Sequence, residues 1–83
     1  MNESEIIYRF QKNATEEVRV SLTEYLGHKL IDIRVYYQGE DDEYHPTKKG
    51  LSISVEKFNE LKESIKSIET TLKKKKLLIK DNR

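Results

Sequence analysis

Eighty-three residues amount to one small domain, and a chain this short buries only about 60% of its unfolded surface, so a lone protomer sits near the edge of stability and association is expected to support it. The absence of cysteine excludes a disulfide framework and thiolate metal sites, and it suits a reducing compartment. Net charge is +1 but unevenly placed: residues 1–43 carry 5 basic and 10 acidic side chains (net −5) and residues 44–83 carry 11 and 5 (net +6), so the second half supplies the attraction for any anionic partner.

Leu, Ile, Val and Phe account for 22 of the 83 residues, enough for a folded domain. No apolar run approaches the roughly 18 residues of a membrane-spanning helix, and Met1 to Glu5 is acidic where a signal peptide is basic, so no membrane partner is expected. The sequon Asn13-Ala14-Thr15 carries no meaning without an export route.

In chain order, strands come first. Glu5 to Gln11 alternates Ile6, Tyr8 and Phe10 against Ile7, Arg9 and Gln11, the period of a strand. Glu17 to Thr23 sets Val18, Val20 and Leu22 on one face and Arg19, Ser21 and Thr23 on the other. A short connection with Gly27, Glu24 to Lys29, leads into Leu30 to Tyr37, and the two segments are expected to pair as a hairpin with Ile31, Ile33 and Val35 inward. Gln38 to Gly50, with its acidic cluster, Pro46 and Lys48-Lys49, reads as a loop, and Leu51 to Ser54 as a brief fourth strand.

Ser54 is placed to cap a helix that begins at Val55, with Glu56 in its first turn. Val55, Phe58, Leu61, Ile65, Ile68 and Leu72 form its apolar stripe, roughly 27 Å long at 1.5 Å per residue. A four-stranded sheet of short strands does not cover that length, so part of the stripe is expected to meet a second subunit. A parallel coiled coil is disfavoured, because the repeat lasts under three heptads. Lys73 to Lys76 either complements the helix dipole or touches phosphates, and Leu77-Leu78-Ile79 beyond it has no role legible in the sequence.

Enzyme chemistry and cofactors find little support. His28 and His45 lie in different connections without metal-ligand spacing, the three glycines are too scattered for a phosphate loop, and Asp41-Asp42 reads as a solvated turn. More informative are aromatic and basic residues outside the core. Single-stranded nucleic acid is held by cations along its backbone and by rings that stack on unpaired bases. Tyr25, in the hairpin connection, and Tyr37, at a strand end, are the candidate rings, although parity groups Tyr37 with Val35 and leaves a core role open. Arg19, Lys29, Arg34, Lys48 and Lys49 supply the charge, and each by itself also reads as a solvated surface cation.

Three ordered blocks, Leu30 to Tyr37 (LIDIRVYY), Pro46 to Ser54 (PTKKGLSIS) and Phe58 to Ile65 (FNELKESI), resemble the single-stranded-DNA-binding domain of the transcriptional coactivator family called positive cofactor four, over Val18 to Leu72. The resemblance implies an α+β fold, a curved four-stranded antiparallel sheet followed by one long helix, homodimeric through helix residues such as Phe58, Leu61, Ile65, Ile68 and Leu72. Residues 1–83 then form a single domain with a family-like core at 18–72 and a Lys-rich extension at 73–83. By position, Tyr25 stands at the family's stacking Phe, Tyr37 at its Trp, Arg34 at its strand arginine, Lys49 at the lysine before the loop glycine, and Phe58 at a structural helix Trp. Leu26 and His28 depart from it, standing where lysines are common. The family's eukaryotic members carry a Ser-rich segment before the domain, so this chain resembles the compact bacterial or phage form. The implied function is binding of single-stranded or unwound DNA with little sequence preference, in the cytoplasm and nucleoid of a bacterium or the nucleus of a eukaryote. A single-stranded RNA binder, or an interaction module docking on RNA polymerase or another transcription factor, are the alternatives.

Overall fold

Alternation in three successive segments, then a helical stripe, translates directly into topology. The computed structural model describes residues 4–78, which form β1 (Ser4–Gln11), β2 (Glu16–Tyr25), β3 (His28–Gln38), β4 (Tyr44–Ser54), a 3-10 turn (Val55–Lys57) and α1 (Phe58–Lys74). The strands make one antiparallel sheet in the order β1-β2-β3-β4, the fold class the sequence implied. Asn13 shapes the first connection: its side-chain oxygen accepts the N–H groups of Thr15 and Glu16 at 3.0 and 2.9 Å.

Two expectations are corrected. The connection after β2 is only Leu26-Gly27, both at positive φ (51° and 80°) as a tight two-residue hairpin requires, so Tyr25 belongs to β2 and pairs with His28 instead of lying in a loop. Residues 38–50 are not one loop either. β3 runs through Gln38 and β4 begins at Tyr44, leaving residues 39–43 as the connection. Pro46 had argued for a loop, but β4 is an edge strand, where a missing N–H need not break a ladder.

Register separates the two faces. Phe10, Val18 and Val35 form one cross-strand row; Tyr8, Val20, Ile33 and Leu51 a second; Leu22, Ile31 and Ile53 a third. On the opposite face, Arg9, Arg19, Arg34 and Gly50 align, flanked by Gln11, Glu17, Tyr36 and Pro46 and by Ile6, Ser21, Asp32 and Ser52. β1 carries a bulge at Ile7.

Among the described residues nothing covers the apolar face. Ile31, at 8% exposure, is the only buried apolar side chain among the described residues. Ser54 caps the helical segment as expected, its Oγ accepting the Glu56 N–H at 3.1 Å, but the first turn is 3-10 and the α-helix proper starts at Phe58. α1 then makes no substantial contact with its own sheet beyond that turn. Its stripe is bare as well, with Phe58, Ile65 and Ile68 all exposed.

The helix stops by geometry. Lys76 adopts φ 57°, its N–H reaching the Lys73 carbonyl at 3.1 Å while the Leu77 N–H reaches the Leu72 carbonyl at 2.8 Å. This is a Schellman motif, which accounts for Leu77: an apolar residue there is suited to sit against the helix position of Leu72. Ile79 lies outside the described residues.

Candidate nucleic-acid interface

Two patches emerge, one at each end of β3. At the hairpin end Tyr25, 54% exposed, pairs with His28, while Lys29 lies on the other face, its ammonium loosely paired with Glu24 at 3.5 Å. At the other end Tyr37, 46% exposed, packs its ring against that of His45, its register partner, with centroids 5.5 Å apart. The nine residue steps from His28 to Tyr37 span about 30 Å, and strand parity sets the two tyrosines on opposite faces. The fold therefore does not bring Tyr25 and Tyr37 together within a protomer.

Beside Tyr37 the edge strand is distorted. Tyr36 pairs with Pro46 and Arg34 with Gly50, so Thr47, Lys48 and Lys49 all lie opposite the single residue Val35. The bulge is tied down: Thr47 Oγ1 donates to the Val35 carbonyl at 2.8 Å, the Lys49 N–H donates to Thr47 Oγ1 at 3.1 Å, and Arg34 Nη1 donates to the Thr47 carbonyl at 3.1 Å. Gly50 closes it. A Cβ there would stand 2.6 Å from the Ile33 carbonyl oxygen and 2.8 Å from the Arg34 Cα, so only glycine fits without moving backbone. Lys48 and Lys49 are exposed on this bulge, and the charge of Lys49 reaches Glu16, the partner of Tyr37 on β2. Glu16 is held below the usual carboxylate range, first by the Asn13 side chain, then by Lys12, with Lys49 adding to it.

The two arginines are already engaged. Arg34 grips Asp32 with two bonds, Nη2 to Oδ1 at 2.8 Å and Nε to Oδ2 at 3.2 Å. Partial burial pushes the Asp32 carboxyl up, but Arg34 and the Ser52 hydroxyl, 2.6 Å away, outweigh it and the net direction is down. Arg34 is raised in turn by that carboxylate. Arg19 bonds Glu17 through Nε and lies over the ring of Tyr36 at 4.4 Å, with Tyr44 at 5.5 Å. These contacts make both side chains parts of the sheet's polar face, with Arg34 acting as a strut for the bulge.

Residues that the sequence reading passed over also line these patches. His45 and Tyr44 were assigned to a loop; once β4 extends to Tyr44, parity places His45 with Tyr37 and Tyr44 with Tyr36. Arg9 joins the arginine row and reaches Glu17 at 3.9 Å. Among the described residues no group of three or more His, Asp or Glu side chains is arranged to hold a metal ion, and no helix is long and apolar enough to cross a membrane.

Comparison with known proteins shows the family and the fold. The profile of the family described as Transcriptional Coactivator p15 (PC4) matches residues 12–64. The RNA polymerase II transcriptional coactivator KELP of Arabidopsis thaliana is 35% identical over 60 residues, which are 72% of this chain and 36% of that protein, so the chain spans about a third of that relative's length. Among solved structures, a PC4 homologue of Burkholderia pseudomallei superposes with a TM-score of 0.74 at 27% identity, covering 80% of this chain and 89% of that one. A bacteriophage T5 homologue of the eukaryotic coactivator, implicated in recombination-dependent DNA replication, gives 0.63 at 27% identity over 86% of this chain and 82% of its own.

Proposed function

This chain belongs to the transcriptional coactivator p15 (PC4) family of DNA-binding coactivators, and from that premise we propose that it binds single-stranded or locally unwound DNA as a homodimer, with little sequence preference. The observation that carries the proposal is the Gly50-locked bulge, which displays Lys48 and Lys49 opposite Val35, two residues along β3 from the half-exposed ring of Tyr37. Lysines there neutralise successive phosphates while the ring receives an unpaired base. Tyr25 is the second stacking ring, at the hairpin end, with Lys29 supplying charge from the opposite face of the same strand end. Because Tyr25 lies about 30 Å from Tyr37 and on the other face, one strand touches both rings only by turning round the sheet or crossing to a second protomer. Arg34 and Arg19 contribute through the strand positions they hold and through the positive potential of the arginine row. Binding, and no catalytic step, is the proposed activity.

The proposal of a second copy is supported by two apolar surfaces left uncovered among the described residues, the sheet rows around Ile31 and the stripe of Phe58, Leu61, Ile65, Ile68 and Leu72. Burying them is worth about 25 cal/mol per Å² of apolar surface, and a domain of this size has few other sources of stability. Ile65→Asp should dissociate the dimer, read as halved mass in analytical ultracentrifugation; a wild type already monomeric at micromolar concentration refutes the dimer. Transcriptional coactivation is named for the Arabidopsis relative and DNA replication for the phage one, and we place this chain in the same class of DNA transactions.

The deciding experiment is fluorescence anisotropy with single-stranded and blunt duplex oligonucleotides of equal length at two salt concentrations. Preference for the single strand, weakening as salt rises, is expected; equal affinity for duplex refutes the stacking role of the tyrosines. Oligo-U in place of oligo-dT tests RNA, since stacking and phosphate contacts tolerate either sugar. Capture of a transcription factor that survives joint replacement of Tyr25 and Tyr37 would favour an interaction module instead.

A further inference from the structure

The nucleic-acid surface has a titratable pair at its Tyr37 end that the proposal above leaves unused. Tyr37, Gln38, Gly39, Glu40, Asp41 and His45 line an open hollow of about 590 Å³. His45 Nε2 lies 3.1 Å from each carboxylate oxygen of Asp41, while the imidazole packs on the Tyr37 ring. Asp41 is itself fixed, accepting the Glu43 N–H at 3.0 Å. That bond first, and then His45, hold the Asp41 carboxyl below the usual carboxylate range, so it is charged at neutral pH. Gly39 makes the closure possible: a Cβ there would stand 3.0 Å from Asp41 Oδ1 and 3.1 Å from the His45 ring.

The electrostatics of this corner are adverse to a phosphate while the imidazole is neutral. Glu40, Asp41, Asp42 and Glu43 stand in the connection beside the ring. On β2, Glu16 faces Tyr37 in register, and its charge is taken up by Lys12 at 3.1 Å. Lys48 and Lys49 follow His45 in the bulge of β4. Among these side-chain types, imidazole is the one whose charge ordinarily changes between about pH 5 and 8.

Resting on the proposed single-strand binding at Tyr37, we infer that His45 is a proton-dependent contact for the phosphate next to the stacked base, positioned by Asp41. Neutral, the pair leaves the full charge of Asp41 facing the incoming backbone. Protonated, His45 offsets that carboxylate and presents its second ring N–H to a phosphate oxygen. Bound phosphate favours the protonated ring, so binding takes up a proton and affinity rises as pH falls.

The test is anisotropy with a labelled oligo-dT from about pH 8 down to about pH 5.5 at constant ionic strength, with melting curves confirming that each variant is folded. Wild type should tighten about 3- to 10-fold across that range, the scale of a single coupled proton. His45→Gln should bind at the weaker level throughout, and His45→Lys, with a permanent charge, at the tighter level throughout. Asp41→Asn should bind more tightly than wild type at the alkaline end, which a merely structural role for Asp41 would not produce. His28→Gln should keep the wild-type rise. A rise that persists unchanged in His45→Gln, a rise lost in His28→Gln, or weakened alkaline binding by folded Asp41→Asn overturns this inference while leaving single-strand binding intact. Absence of single-strand binding at every pH overturns the underlying proposal and the inference together.

Discussion

Gly50→Ala is the sharpest perturbation this fold offers. The added carbon would stand 2.6 Å from the Ile33 carbonyl oxygen and 2.8 Å from the Arg34 Cα, and both neighbours are backbone in the paired strand β3, so relief requires the β3–β4 ladder to shift. Overpacking that moves backbone costs about 1 to 3 kcal/mol, and the absence of any yielding side chain among the two closest neighbours puts this site near the upper end. At about 4 to 8 °C per kcal/mol for a domain of this size, the melting midpoint should fall by roughly 10 to 20 °C. The assay is thermal denaturation by circular dichroism, at one fixed protein concentration because association enters the measured stability. Gly39→Ala is the internal control. Its three closest neighbours, at 3.0 to 3.2 Å, are side-chain atoms of Asp41 and His45, which can give way, so its cost should stay below about 1 kcal/mol. The same Gly50→Ala protein should lose affinity for single-stranded DNA, since the Thr47 carbonyl held by Arg34 and the two lysines of the bulge move with the strand. A Gly50→Ala midpoint within about 2 °C of wild type, or a Gly39→Ala loss as large, would show that the close approach is not what fixes the bulge.

Three further outcomes are expected. Lys49→Ala should flatten the slope of log affinity against log salt by about 0.7 on a single strand, whereas Tyr25→Ala should cost about 1 to 3 kcal/mol with the slope nearly intact; equal slope changes in the two variants would contradict their assignment to phosphate and base. Asp32 has its carboxyl pushed below the ordinary value in the folded state, so its contribution is present above about pH 4 and is lost as pH falls through the folded value; Asp32→Asn should therefore be less stable at neutral pH by about 1 to 3 kcal/mol and converge on wild type in acid, and denaturation curves that stay parallel down to about pH 2 refute this. Leu26 holds φ 51° at 79% exposure, so Leu26→Asn sacrifices little packing and should raise stability by about 0.5 to 1 kcal/mol in urea titrations; a lower midpoint would mean that the leucine makes a contact in the assembly.

The parts of the fold that were legible are those where one physical signal dominates. Alternation set β1 and β2 to within a residue or two, and the spacing of Val55, Phe58, Leu61 and Ile65 set the helix together with its Ser54 cap. Legibility failed where two signals compete. Leu26-Gly27 lacks the Asn or Asp that usually marks such a turn, so the hairpin read as longer and Tyr25 as a loop residue. In residues 44–50 a proline and two extra residues erase the period of two, and β4 dissolved into an apparent loop, taking with it the pairing of His45 with Tyr37. Cross-strand contacts such as Arg19 over the Tyr36 ring, or Arg34 on the Thr47 carbonyl, depend on register and leave no trace along the chain, unlike the i, i+2 pairs Glu17–Arg19 and Asp32–Arg34 that alternation puts on one face.

The bulge of β4 has one more consequence, for colloidal behaviour. β4 is a free edge of the sheet, and a straight edge strand is a template on which another chain can add. Pro46 removes one donor from that edge, the extra residues opposite Val35 break its straightness, and Lys48 and Lys49 set like charges along it, three separate deterrents to edge-to-edge growth. The opposite edge, β1, has a bulge of its own at Ile7 and Arg9 beside it. Replacing both Lys48 and Lys49 by small apolar residues would thus remove two cations from the proposed nucleic-acid surface and open a sticky edge at once, so such a variant should show rising light scattering at concentrations where the wild type stays clear.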